Sequence, residues 1–104
     1  MLLVLDTDRE LYLFSTIAEA EAWLEAIDIE NEEYDFCDEF GQRFGAEITS
    51  QITGIGSGAF RLVPQGERDM SLPLTFWVSA RHLARSSGEI MTLDDLSARL
   101  HAKI

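Results

Sequence analysis

Leu2-Leu3-Val4-Leu5-Asp6-Thr7-Asp8-Arg9-Glu10-Leu11-Tyr12-Leu13-Phe14 reads as two short apolar strands, residues 2–5 and 11–14, around a polar turn. A pair of strands that close in sequence pairs antiparallel, and this decides the class of sheet. The turn carries alternating carboxylates like the start of a calcium loop. However, Leu11 stands where that loop needs Gly and Ile17 where it needs its last Glu, so no metal site is expected there. Directly after the hairpin, Thr16-Ile17-Ala18-Glu19 has the form of a capping box, in which hydroxyl and carboxylate each satisfy an orphan backbone N–H. Ile17, Ala20, Leu24 and Ile27 then recur at helical spacing.

Working outward, residues 33–39 place Tyr34 and Phe36 on one strand parity, and Glu33, Asp35, Cys37 and Glu39 on the other. The reading is a strand with its rings in the core and carboxylates outside. Asp38-Glu39-Phe40-Gly41 turns into a second strand over residues 42–49, with Phe44, Ala46 and Ile48 alternating. Gly54, Gly56 and Gly58 mark a hairpin loop, since neither the dinucleotide fingerprint nor a phosphate-loop Gly-Lys-Ser/Thr is present. A strand over residues 59–63 is closed by Pro64. Residues 74–78, rich in β-formers, predict another strand. Ser79 to Gly88 predicts a short helix through Ala80, Leu83 and Ala84, unless the strand simply continues through it. Thr92-Leu93-Asp94-Asp95 caps a last helix with Leu93, Leu96 and Leu100 as its stripe.

The expected architecture is α+β, one domain over residues 1–104. A mostly antiparallel sheet carries a helix from the N-terminal half and one or two C-terminal helices, and its other face can stay open. Ile17, Leu24, Ile27, Tyr34, Phe36, Phe44, Phe60, Phe76, Leu96 and Leu100 are the expected core.

The chain has 104 residues and a formal net charge of −11, and the acids are unevenly placed. Residues 1–40 hold 13 of the 19 acids and a single base, Arg9, whereas residues 41–104 carry a net charge of +1. Between residues 10 and 42 lie 11 carboxylates without one Lys or Arg. That balance argues against nucleic acid or anionic lipid as a partner, both of which demand cations. Interleaved aromatics (Tyr12, Phe14, Trp23, Tyr34, Phe36 and Phe40) argue against a disordered acidic tail. One cysteine, no apolar run of membrane length and no basic leader-like start lead to the expectation of a cytoplasmic protein.

No catalytic constellation emerges, so no enzyme activity, cofactor or metal is expected. His82 and His101 sit in no metal-spaced cluster. Cys37 and His82 could form a nucleophile pair, but an acidic strand suppresses the thiolate. Carboxylate pairs are too abundant for any two to stand out as a dyad. Arg81, His82 and Arg85 read as the solvated face of the short helix.

Leu24-Glu25-Ala26-Ile27-Asp28-Ile29-Glu30-Asn31-Glu32-Glu33-Tyr34-Asp35-Phe36-Cys37-Asp38, followed by Gly41-Gln42, resembles small acidic bacterial proteins that accompany secreted polymorphic toxins as immunity proteins. The likeness spans roughly residues 10 to 45. It implies a protein that binds and neutralises a cognate toxin domain, usually by blocking its active site. The residues are compatible with that function. An acidic ridge complements a basic surface or cleft, and a few buried aromatic contacts hold most of an interface's affinity. Two acid rows offer such a ridge: Glu21, Glu25 and Asp28 on the helix, and Glu33, Asp35 and Glu39 on the strand after it. Tyr12 and Trp23 are candidate anchors, with core packing beside Leu24 as the competing reading of Trp23. Two other classes compete with this one: an acidic mimic of nucleic acid that inhibits a DNA-binding protein, and a small-ligand domain using residues 54–58. Oligomeric state is not legible.

Overall fold

The computed structural model describes residues 1–24, 29, 33–50 and 59–102. The opening hairpin forms as β1 (Leu2–Asp6) and β2 (Glu10–Phe14), with Leu3 opposite Leu13 and Val4 opposite Tyr12. After it come α1 (Ile17–Trp23), β3 (Tyr34–Asp38), β4 (Arg43–Ser50), β5 (Ala59–Pro64), α2 (Leu72–Ser79), β6 (His82–Arg85) and α3 (Leu93–His101). The six strands make one sheet in the order β5-β4-β3-β1-β2-β6, antiparallel throughout except for β2 and β6. The fold is α+β with helices packed on the sheet.

β1 is the middle of that sheet, and its apolar run is buried on both sides. Leu2 and Val4 join Phe14, Ala20, Leu24, Ile29, Phe36, Phe44, Phe60 and Leu62 under α1. Leu3 joins Leu11, Leu13, Cys37, Phe76, Leu96 and Leu100 under α2 and α3. Helices therefore cover both faces at the centre, and neither face is open there. α1 touches both β2 and β5, which are separated by three strands, so the sheet curls around this helix. Of the expected core, Leu24, Phe36, Phe44, Phe60, Phe76, Leu96 and Leu100 are buried, and Ile17 and Tyr34 are partly so. Ile27 lies outside the described residues.

The two elements before α3 are exchanged relative to the sequence reading. The β-formers of residues 74–78 belong to a helix, and residues 82–85 are a strand rather than part of a helix ending at Gly88. Pro73 falls in the first turn of α2, where a missing N–H costs nothing; in a ladder it would remove a hydrogen bond. Leu72 and Phe76, one turn apart, both seat in the core under the sheet. Packing of that pair overrides the β-propensity of Phe76, Trp77 and Val78. Ala80 then turns extended, and β6 pairs with β2 through Glu10–His82 and Leu11–Leu83.

Candidate partner-binding surface

Alternation along β2 sends Glu10, Tyr12 and Phe14 to the α1 face of the sheet. Across the hairpin Asp6 shares that face, pairing with Tyr34 on its other side. The Tyr12 hydroxyl donates toward two carboxylates, 3.0 Å from Asp6 Oδ2 and 3.1 Å from Glu10 Oε2. Burial first, then these two neighbours, push the phenol well up from its ordinary range, so it remains a proton donor. Asp6 is held in place by a second task, because its Oδ1 accepts the Asp8 and Glu10 amides at 2.9 Å each.

Trp23, at the end of α1, lies over this group. Its ring centroid is 5.5 Å from that of Tyr12 and 5.6 Å from that of Phe14. Arg85 reaches across from β6, 4.3 Å above the Phe14 ring and 5.6 Å from the Trp23 ring. Its guanidinium is fixed by Glu19 Oε1 at 2.7 Å and by the Leu13 carbonyl at 2.6 Å. Trp23 is 50% exposed nonetheless, so packing against the core accounts for only part of its surface. The result is an indole held on several sides with its remaining surface in water. Tyr34 extends the aromatic row, 6.3 Å from Tyr12 in edge geometry. Beyond it, a groove of about 550 Å³ opens between Tyr34, Phe36, Ala46 and Ile48.

Among the described residues of the two acid rows, Glu21 and Asp35 do not share a face. α1 lies on one face of the sheet, whereas Asp35 shares the opposite face with Leu5 and Cys37. Glu21 commits its Oε2 to the Leu62 amide of β5 at 2.7 Å. Glu25 and Asp28 lie outside the described residues. Glu33 is half-buried, and Asp35 is exposed 3.8 Å from Arg43. Glu39 is the clear correction. Expected to face out, it is only 6% exposed, with Met1's ammonium at 3.2 Å and Arg99 Nε at 2.9 Å. The strand ends at Asp38, so Glu39 belongs to the turn and swings toward α3. Burial opposes its ionisation, but the hydrogen bonds from Arg99 and the ammonium outweigh that and hold the carboxyl below its usual range.

Among the expected residues, Tyr12 and Trp23 come together; Asp6, Glu10 and Arg85 were not expected beside them. The strand periodicity that places Tyr12 also places Glu10, so that much was legible. Arg85 was not, because its position depends on a parallel pairing between β2 and β6. The Cys37–His82 pair is ruled out by topology. Three strand spacings, about 14 Å, separate β3 from β6, and the buried thiol is pushed far up by desolvation. Residues 54–58 lie outside the described residues. In comparisons with known proteins, no family model, curated protein or solved structure matches the chain.

Proposed function

We propose that this chain is an immunity-type protein, working in the cytoplasm, that binds a cognate toxin domain of basic surface and neutralises it by covering its active site. The observation that supports this reading is Trp23, half exposed yet packed against Tyr12, Phe14 and Arg85. An aromatic side chain ordered before binding loses little entropy on contact, which is the property of an interface anchor. Asp6 and Glu10 stand beside it, and neither takes part in an ion pair among the described residues. They supply the acidic rim that a basic partner would meet. The net charge of −11, concentrated in residues 1–40, supplies long-range steering.

The test begins with co-purification from the native host and identification of the bound protein, followed by kinetics with the purified pair. Association should slow steeply as the Debye length falls from about 10 Å at 0.1 M to about 3 Å at 1 M salt. Trp23→Ala should weaken binding by about 2 kcal/mol or more, some 30-fold, and abolish protection of cells expressing the toxin. A salt-independent rate together with full protection by Trp23→Ala would overturn the proposal. Displacement of the partner from DNA, with no toxicity of the partner itself, would favour the nucleic-acid mimic.

A further inference from the structure

Arg85 is brought against the aromatic row by an irregularity in β6. Opposed residues of neighbouring strands share a face, and Leu11 opposite Leu83 puts both on the side of α2 and α3. Strict alternation would then set Ala84 opposite Tyr12 and turn Arg85 away from α1. The register instead shifts between Leu11 and Tyr12, so that Tyr12 opposes Arg85. An extra residue of this kind re-aims the side chain that follows it, and such bulges collect at sheet edges and beside functional sites. Here it delivers the guanidinium to the face of Phe14 and Trp23. Nη1 donates to the Leu13 carbonyl, one residue past the last paired position of β2, and Nη2 donates to Glu19. Glu19 and Trp23 lie one turn apart on α1, so Arg85 ties the sheet edge to the side of the helix that carries the indole. Of the arginines in ion pairs among the described residues it is the least exposed, at 25%.

We propose that Arg85 is a positioning residue, which sets the orientation in which Trp23 meets the partner. The proposal rests on the reading of Trp23 as the interface anchor. Trp23 is the last helical residue of α1 and half exposed, so its rotamer is chosen by the side chains around it. Tyr12 and Phe14 give the indole a floor, which by itself does not fix rotation about the side-chain bonds. The guanidinium adds a side wall. It is planar, its two ends are held by separate acceptors, and its carbon lies 5.6 Å from the indole centroid, where a cation attracts the ring. Glu19 matters through this fork, because it fixes the end nearest the helix. Ordering the indole before contact spares that cost at binding, which is worth roughly three- to tenfold in affinity.

The test uses the chain labelled with fluorotryptophan, which has two reporters, Trp23 and Trp77. Trp77 packs on the opposite face and bonds the Leu93 carbonyl, so its resonance is a control for the fold. In the free chain, Arg85→Met should broaden or split the Trp23 fluorine resonance and leave that of Trp77 sharp. Glu19→Gln, which loosens one end of the fork without touching the aromatics, should do the same to a smaller degree. Against the protein that co-purifies from the host, Arg85→Met should lower affinity roughly three- to tenfold. In a Trp23→Ala background it should change nothing further, since it acts through the indole. A single sharp Trp23 line in Arg85→Met, displaced or not, overturns the proposal; should that variant fail to fold, the same line in Glu19→Gln does so. An equal affinity loss in both backgrounds also overturns it, because Arg85 would then touch the partner directly. The spectra need no partner, so they judge Arg85 apart from the toxin reading, which fails on the Trp23→Ala protection assay.

Discussion

Glu39 joins three parts of the chain that are distant in sequence: the turn after β3, the ammonium of Met1 and Arg99 on α3. A carboxylate taken out of water needs such partners, and losing it would leave Arg99 and the ammonium uncompensated. Arg99 is half exposed, so water screens part of the interaction. We expect Glu39→Gln to cost about 2 kcal/mol in chemical denaturation at neutral pH. The folded carboxyl is held below its ordinary value, so the stabilisation is present above the unfolded pKa of about 4.3 and is lost as pH falls through the folded value. The parent should therefore lose more stability than Glu39→Gln does as pH falls below about 4.3. Parallel acid-unfolding curves for the two proteins would show that Glu39 contributes nothing.

At the scale of elements, the two hairpins β1–β2 and β3–β4 use one turn twice. Asp6 Oδ1 accepts the amides of Asp8 and Glu10, and Asp38 Oδ1 accepts those of Phe40 and Gln42, all at 2.9 Å. The fourth residue is left-handed in both, Arg9 at φ 63° and Gly41 at φ 90°. Glycine adopts this region freely, whereas an arginine is strained by roughly 1–2 kcal/mol. Arg9→Gly should stabilise the protein by about 0.5–1 kcal/mol after the added freedom of its unfolded chain is subtracted. Gly41→Ala should do the reverse, by about 2 kcal/mol or more, because its Cβ would lie 1.9 Å from the Asp69 carbonyl oxygen. Thermal melts of both variants check the pair; equal effects of one sign would contradict this account of the turn. The sheet edges are guarded by separate means. On β5, Glu21 caps the Leu62 amide and Pro64 has none to offer, while β6 carries a register shift opposite Leu11 and Tyr12. Unwanted strand addition is blunted at both edges.

At the scale of the molecule, the sheet separates Asp6, Glu10 and Glu21 from Asp35, and a compact partner would engage only one of these faces. On the proposed reading, the Trp23 patch selects the α1 face. Glu10→Lys should weaken partner binding by several kcal/mol, since it sets a cation against a basic surface. Asp35→Lys, on the far face, should change affinity by less than about 0.5 kcal/mol. Titration calorimetry of both variants separates them. The opposite ranking would move the interface to the Asp35 face.

Periodicity and capping made β1 to β5, α1, α3 and most of the core legible, because each is specified by residues within one or two turns or a strand length. The interface reading of the sequence also offered Tyr12 and Trp23 as candidate anchors, and the fold packs these two rings together. The identities of residues 72–85 were not local. Leu72 and Phe76 prefer a helix only because the sheet is there to receive them, and His82 to Arg85 become a strand only because β2 has a free edge. The same holds for charge. Strand parity separates Glu33, Asp35 and Cys37 from Tyr34 and Phe36, but parity cannot say which side is water and which is covered by helices. Tertiary packing decided that. α2 and α3 covered Cys37, Arg99 drew Glu39 inward, and Arg85 came to rest against Trp23. Each outcome depends on contacts between residues far apart in the chain, which no local pattern encodes.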